Sequence, residues 1–190
     1  MKTEIKIIKA FLADRDKAYT ILELAKKIGS DYRITHTAVR RLIDKNIIEK
    51  KSVGRATEIR LTKIFAEEVF MAEHGRREGL LKNNDFKVLE ERLDSLPFLL
   101  IAMIFGSHAK GGATKKSDID MMIICEKIRE KEVESVISLI PLDIHPIILT
   151  HEEFLEMAKS REFSVVSESM KSNIILVGIE DYYRLIKDVR

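Results

Sequence analysis

Two aspartates, Asp118 and Asp120, stand at the start of an apolar run, and ten residues separate them from the pair Gly106 and Ser107. Side chains two positions apart on a strand point to the same face of a sheet. Two carboxylates on one face repel each other unless a cation lies between them. Because this arrangement costs stability in a chain that only has to fold, it indicates a site that binds a cation.

The residues around the aspartates predict two strands joined through a sharp turn. The segment FLLIAMIF (98–105) is continuously apolar, as expected for a strand buried on both faces. Gly106 allows the chain to turn there, and Ser107 can begin a short helix whose free N–H groups and hydroxyl suit a phosphate. A third carboxylate, Asp143, lies in the next predicted strand, LDIHPIIL. Three carboxylates beside such a turn predict a magnesium site, and a nucleoside triphosphate would allow two ions about 3.5–4 Å apart.

This stretch resembles the Gly-Ser, ten residues, Asp-x-Asp signature of the DNA polymerase beta-type nucleotidyltransferases. It is similar above all to the minimal nucleotidyltransferase group, whose pattern is G-S-x-A-[RK]-G-x-[AT]-x-x-S-D-[IVL]-D. The resemblance covers about residues 85–180 and implies a small mixed sheet flanked by helices. The positions that fit the pattern are Gly106, Ser107, Ala109, Lys110, Gly111, Ser117, Asp118, Ile119 and Asp120.

The resemblance implies roles for the three aspartates. Asp118 and Asp120 would bind two Mg²⁺ ions and the triphosphate. Asp143 would bind the catalytic ion and orient or deprotonate the attacking hydroxyl. The implied reaction is in-line attack of an acceptor hydroxyl on the α-phosphorus, which transfers a nucleoside monophosphate, with AMP from ATP as the expected case.

The resemblance also implies the residues that hold the nucleotide. The Gly106 backbone and Ser107 would bind the outer phosphates, Lys110 would neutralise charge on the leaving pyrophosphate, and Ser117 is assigned to nucleotide binding as well. Simpler interpretations stay open for single residues: a surface or capping pair for the first two aspartates, and a strand-end residue for Asp143. His145 shares a face with Asp143 by the alternation of a strand, and a structural histidine is the simpler explanation for it.

The N-terminal third of the chain has a different charge. Residues 1–63 contain 16 Lys and Arg against 8 Asp and Glu, a net charge of +8, whereas the other 127 residues contain 17 against 23, a net charge of −6. This asymmetry predicts two domains with different partners, and the basic one is a candidate for binding nucleic acid.

Helical spacing of apolar residues predicts three helices in the basic part. The first covers 3–13, the second follows a capping box of Thr20 and Glu23, and the third begins near Thr35. Two short alternating strands, about 47–52 and 57–62, then form a hairpin around Gly54. Three helices followed by a hairpin are the order of a winged helix-turn-helix, and the region is similar to winged-helix regulators of bacteria and archaea.

The third helix and the hairpin contain the residues expected to contact double-stranded DNA. In the helix the apolar spacing leaves these residues facing away from the core, as in a recognition helix, and in the hairpin they lie where they could reach a phosphate or the minor groove. They are His36, Thr37, Arg40, Arg41, Lys50, Lys51 and Arg55. The alternative is a winged helix used for dimerisation or protein contact, and a helix predicted from Thr62 to about His74 offers a surface for a homodimer.

Composition sets the remaining expectations. With 45% apolar and 34% charged residues, no apolar run of about 18 residues and one cysteine, Cys125, the chain is expected to be a cytoplasmic globular protein without a membrane span. The expected fold class is α+β. The expected domains are a winged helix over 1–75, a linker over 76–84 and a minimal nucleotidyltransferase over 85–190.

The sequence thus predicts a magnesium-dependent nucleotidyltransferase tethered to DNA. The acceptor is left open among a protein hydroxyl, a small molecule and a nucleic-acid end. The resemblance adds one expectation, since minimal nucleotidyltransferases often act as antitoxins that attach AMP to a toxin, commonly a HEPN-type ribonuclease. The alternative is a winged-helix transcription regulator whose second domain only binds nucleotide as a sensor.

Overall fold

The structure, a computed structural model, describes residues 2–54, 56–62, 65–114, 117–160, 162–187 and 189. The chain divides into two units, residues 1–73 and 74–190.

The first unit contains three helices followed by a two-stranded antiparallel sheet. Its elements are α1 (Thr3–Leu12), α2 (Ile21–Ile28), α3 (Tyr32–Asp44), β1 (Ile48–Val53) and β2 (Ala56–Leu61). This is the order of elements that the sequence predicts, and the assignment of that order to a winged helix-turn-helix stays a prediction. The core is formed by one face of each helix together with Ile47, Ile48 and Ile59.

Local signals explain the ends of these helices. The Thr20 hydroxyl accepts a hydrogen bond from the Glu23 N–H, and the Glu23 carboxylate accepts one from the Thr20 N–H, so the predicted capping box is present. Gly29 ends α2 in the left-handed conformation, with φ of 61°. The third helix begins at Tyr32 and not near Thr35, because the Asp31 carboxylate caps it by accepting from the N–H groups of residues 33 and 34.

The helix predicted from Thr62 begins later and extends further, as α4 (Glu67–Leu80). Thr62 belongs to the end of the hairpin, because its N–H donates to the Ile47 carbonyl at 3.0 Å and its hydroxyl donates to the Asn46 carbonyl at 2.7 Å. The division between the units falls within α4, and residues 76–80 of the predicted linker are helical. In the second unit, the Arg77 guanidinium donates to the Leu176 carbonyl at 3.1 Å.

The second unit is a four-stranded mixed sheet flanked by helices, which agrees with the small mixed sheet that the resemblance implies. Its strands lie in the order β5-β4-β3-β6, with β3 antiparallel to both neighbours and β5 parallel to β4. The elements are α5 (Asn84–Asp94), β3 (Ile101–Phe105), α6 (Gly106–Lys110), β4 (Ile119–Ile124), α7 (Glu130–Ser138), β5 (Ile144–Leu149), α8 (His151–Lys159), α9 (Val165–Lys171), β6 (Asn173–Val177) and α10 (Ile179–Leu185).

Helices cover both faces of this sheet. Alternate residues of β4, namely Ile119, Met121 and Ile123, belong to a buried apolar cluster that also contains side chains of α5 and α7. The opposite face carries Met122, whose sulfur accepts a hydrogen bond from Ser169 of α9 at 3.4 Å. No helix in the described part of the chain has the length and apolar character that a membrane span requires.

Candidate active site

A buried strand delivers the Gly-Ser turn to one end of the sheet. All five residues of β3 are buried, and the chain turns at Gly106, whose φ is +66°. A Cβ atom at this position would overlap the Oδ2 atom of Asp120 and lie 3.2 Å from its Cγ. Glycine is therefore required for two reasons, the left-handed backbone conformation and the close approach of a carboxylate.

The alternation of β4 places the first two aspartates away from the main apolar cluster. Ile119 lies between them and is buried in that cluster, so Asp118 and Asp120 point to the other face of the sheet. Asp120 is half-buried against the Gly106 turn, and Asp118 is exposed immediately before β4 begins.

The neighbouring strand β5 places Asp143 beside this pair. The strands are parallel, Asp120 is aligned with His145, and the Ile119 N–H donates to the Asp143 carbonyl at 2.9 Å. Aligned residues of neighbouring strands share a face, so Asp143 and His145 lie on the face of Asp118 and Asp120. The Asp143 side chain is 78% exposed, and its Oδ1 atom lies 3.7 Å from Nε2 of His145, which is 61% exposed.

The structure therefore brings the three carboxylates to one face and one end of the sheet, but not into a closed cage. Within the described residues, no group of three or more His, Cys, Asp and Glu side chains is close enough to hold a metal ion. Their chemistry fits Mg²⁺, because hard carboxylate oxygens are the ligands that this ion prefers.

The predicted phosphate side lies on β3, across β4 from Asp143. Ser107 is half-buried in the first turn of α6, a helix of only five residues whose start has no side-chain cap. Lys110 lies at the other end of α6, and its Nζ donates to Oε1 of Glu168 on α9 at 3.1 Å. Lys110, which is expected to bind the leaving pyrophosphate, therefore forms an ion pair with Glu168 when no ligand is bound.

Ser117 and His108 hold the loop between the turn and the aspartates. The Ser117 hydroxyl accepts a hydrogen bond from the Thr114 N–H at 2.9 Å. The Ser117 carbonyl accepts one from Nε2 of His108 at 3.2 Å, so that nitrogen must carry the proton. The His108 ring also packs edge-on against Phe86, at 5.8 Å between ring centroids. Both side chains have structural contacts within the described residues.

In the first unit, the residues predicted to bind DNA lie on the outer side of α3 and on β1. Thr37, Arg40, Arg41, Lys50 and Lys51 are exposed, His36 is half-buried, and Arg55 lies outside the described residues. Arg41 is not a free cation, because its Nη1 atom lies 3.0 Å from Oε1 of Glu4 on α1. DNA contact by these residues remains a prediction.

Sequence reasoning does not identify Glu168, Arg33 or Tyr32 as neighbours of the predicted sites. Glu168 is 58 residues from Lys110, and nothing in the sequence joins the two. The other two residues become part of α3 because Asp31 caps the helix, and Asp31 is a typical N-cap residue that could have revealed this start. The Tyr32 ring is 49% exposed and lies 6.1 Å from the His36 ring.

Comparison with protein families supports the catalytic interpretation of the second unit. Residues 87–180 match the family described as Polymerase beta, Nucleotidyltransferase. Neither the comparison with curated proteins nor that with solved structures found a match. The matched range contains the Gly106 turn, the three aspartates and all strands of the mixed sheet. Over residues 87–180 the chain is therefore similar to the nucleotidyltransferases of the polymerase beta type.

Proposed function

We propose that this protein transfers a nucleoside monophosphate, AMP from ATP in the first instance, to an acceptor hydroxyl in a magnesium-dependent reaction. The observation that carries this proposal is the packing of the Asp120 carboxylate against the Gly106 turn. A structural aspartate at a strand end has no need of a glycine with positive φ beside it. A site that must hold a triphosphate next to a carboxylate needs both.

The three aspartates are the residues that would hold the metal ions. Asp118, Asp120 and Asp143 supply hard oxygen donors from neighbouring strands, on the face of the sheet that also carries the Gly106 turn. Two bound ions would neutralise charge on the triphosphate and lower the pKa of the acceptor hydroxyl.

The remaining residues would bind and orient the substrates. The Ser107 hydroxyl and the free N–H groups at the start of α6 would donate hydrogen bonds to phosphate oxygens. Lys110 would exchange its bond with Glu168 for one with the leaving pyrophosphate. Little energy opposes such an exchange, because an ion pair whose partners are 53% and 36% exposed contributes only about 0–1 kcal/mol.

The order of the strands supports a division of the site into two sides. The proposed phosphate-binding turn follows β3, the aspartate pair lies at the start of β4, and Asp143 immediately precedes β5. The triphosphate and the acceptor would therefore approach Asp118 and Asp120 from opposite sides. In-line attack requires this geometry, since the attacking and leaving oxygens lie on opposite sides of the phosphorus.

Labelling with radioactive ATP tests this proposal. Purified protein, Mg²⁺ and α-labelled ATP are incubated with cell extract, and labelled products are identified by mass spectrometry. We expect one acceptor to gain a nucleoside monophosphate with release of pyrophosphate. Asp120→Asn should abolish labelling, and Asp181→Asn, which removes an equal charge from α10 where Asp181 pairs with Arg184, should not. Equal labelling by the wild type and Asp120→Asn would refute the assigned site.

We further propose that the first unit is a winged helix-turn-helix that binds double-stranded DNA. The exposed cations on α3 and β1 and the net charge of +8 over residues 1–63 support this role. The acceptor then belongs to a DNA-associated system, and a toxin of the HEPN ribonuclease type is the candidate that the family resemblance suggests. A homodimer formed through α4, the helix after the hairpin, is part of the same proposal, and light scattering of the purified protein tests it.

The second candidate function is a transcription regulator that senses nucleotide without turnover. The Lys110–Glu168 pair favours it, because a bound triphosphate could break a contact between α6 and α9 and so produce a change that depends on nucleotide. Under this alternative DNA affinity changes with Mg²⁺ and ATP while no acceptor is labelled. Under the enzyme proposal an acceptor is labelled.

A further inference from the structure

A groove on the first unit lies between the start of α1 and the outer side of α3. It encloses a volume of about 300 Å³ and is lined by Thr3 and Glu4 of α1 and by Arg33, Ile34, Thr37 and Arg41 of α3, among others. Residues 33, 37 and 41 are spaced by four, so they lie on successive turns of the same face. The acidic residue Glu4 of α1 therefore lies beside the face of α3 that is predicted to contact DNA.

Glu4 occupies one end of this groove and neutralises Arg41. Its Oε1 atom accepts a hydrogen bond from Nη1 of Arg41 at 3.0 Å, and the Glu4 side chain is only 18% exposed. The backbone N–H of Glu4 and then the Arg41 guanidinium hold the pKa of this carboxyl below its ordinary value, although partial burial opposes them. Glu4 is therefore negatively charged at neutral pH.

The other end of the groove carries a cation without such a partner. The Arg33 side chain is exposed, and within the described part of the chain no ion pair involves it; the same is true of Arg40. Two turns of helix, about 12 Å along the axis, separate Arg33 from Arg41. Between them Ile34 is 55% exposed, and the Thr37 hydroxyl donates to the Arg33 carbonyl at 3.0 Å. The charge of Arg33 is thus available to a ligand, whereas the charge of Arg41 is neutralised by Glu4.

We infer that Glu4 decides which arginines of α3 meet the DNA backbone: Arg33 and Arg40 contact phosphates, and Arg41 is withheld. This inference rests on the proposed DNA binding of the first unit and refines it. Arg41 is 67% exposed, so a phosphate can reach it, but its charge is already neutralised by the Glu4 carboxylate, which is 18% exposed and would repel the phosphate. A phosphate at Arg33 meets a solvated guanidinium with no ion-pair partner among the described residues, since the nearby Asp31 carboxylate caps α3 by accepting from the N–H groups of residues 33 and 34. Glu4 acts as a positioning residue, since its charge shifts the DNA backbone toward the end of the groove at which Arg33 lies.

The inference is tested by fluorescence anisotropy of a fluorescein-labelled, random-sequence DNA duplex, titrated with the full chain at several salt concentrations. The slope of log affinity against log salt becomes shallower by about 0.9 for each phosphate that the protein no longer neutralises. We expect Arg33→Gln to weaken binding several-fold and to reduce the slope by about one unit. We expect Arg41→Gln to change both quantities little.

Replacement of Glu4 is expected to raise the affinity for DNA, not to lower it. Glu4→Gln frees Arg41, so we expect affinity to rise several-fold and the slope to steepen by about one unit. The gain should vanish in the double variant Glu4→Gln, Arg41→Gln. The matched control is Asp14→Asn, which changes the net charge equally but lies just beyond the other end of α1, about 15 Å away. It should raise affinity less than Glu4→Gln does.

Each other outcome overturns a defined part of the reasoning. Equal decreases in affinity for Arg33→Gln and Arg41→Gln refute the inference and leave DNA binding intact. A gain from Glu4→Gln that matches Asp14→Asn, or that persists without Arg41, reduces Glu4 to a general charge and also refutes it. Absence of duplex binding by the wild type at low salt overturns the proposed DNA binding together with the inference. Circular dichroism of each variant controls for loss of helix.

Discussion

Gly106→Ala is predicted to disturb the candidate site in two ways, through the backbone and through the side chain of Asp120. At a φ of +66° an alanine costs about 1–2 kcal/mol, because its Cβ crowds the following carbonyl. The new methyl group would also overlap the Asp120 carboxylate, whose Cγ would be 3.2 Å away. Forcing a packed side chain out of its position costs about 1–3 kcal/mol. We therefore expect Gly106→Ala to destabilise the second unit by about 2–5 kcal/mol.

Gly111→Ala separates the two contributions. Gly111 ends α6 with a φ of +75°, and a Cβ atom there would meet nothing within 4 Å. Its substitution should cost only the backbone strain, about 1–2 kcal/mol. For a unit of this size about 4 °C of melting temperature corresponds to 1 kcal/mol. Thermal unfolding should show a fall of about 4–8 °C for Gly111→Ala and about 8–20 °C for Gly106→Ala.

The same assay with Mg²⁺ and ATP measures the effect on the site. A ligand that binds only the folded protein raises the melting temperature. We expect this rise to be lost in Gly106→Ala, because Asp120 is displaced. Equal destabilisation by the two alanine variants, or an unchanged ligand-induced rise in Gly106→Ala, would refute the argument that the Asp120 carboxylate needs the bare glycine.

Three further predictions address the metal site, the core and a helix end. Asp118→Asn should stabilise the ligand-free protein slightly, by less than about 0.5 kcal/mol because residue 118 is exposed, and should abolish the rise in melting temperature with Mg²⁺ and ATP. A full rise would contradict the metal assignment. Burial raises the pKa of the Cys125 thiol, which is 1% exposed, so Ellman's reagent should label it far more slowly in the native protein than in urea; equal rates contradict its burial. The hydrogen bond from the Thr20 N–H holds the pKa of Glu23 below its ordinary value of 4.5. The ionised carboxylate therefore stabilises the fold above pH 4.5, and this stabilisation is lost as the pH falls through the lowered pKa. Glu23→Gln should therefore lose less stability than the wild type upon acidification, as measured by urea unfolding at several pH values, and parallel losses would contradict this.

Signals that lie within a few residues of one another are predicted correctly from the sequence. The capping box of Thr20 and Glu23 and the left-handed end at Gly29 depend on contacts over three or four residues, so the sequence displays them directly. Boundaries that depend on other parts of the chain are predicted less well. The sequence predicts that Thr62 begins a helix, but its hydrogen bonds to residues 46 and 47 hold it in the hairpin.

The candidate site shows the same division. The Gly-Ser turn and the Asp-x-Asp pair are local patterns, and their alternation predicts that Asp118 and Asp120 share a face. The sequence also predicts that Asp143 belongs to the next strand. It does not predict that this strand is parallel to β4 and aligned with it so that Asp120 faces His145, which decides where the third carboxylate lies. Strand order and register result from packing between distant segments.

By itself the sequence determined the order of elements in the first unit, the glycine turn beside a paired aspartate motif, and the excess of positive charge in residues 1–63. Each of these depends on neighbours along the chain or on composition. Only the tertiary structure decided which charged side chains form ion pairs within the protein and which can bind a ligand. Glu168 is 58 residues from the lysine that it pairs with, and Glu4 is 37 residues from Arg41. Coulombic attraction depends on distance through space, and the fold sets that distance after the helices and strands have packed.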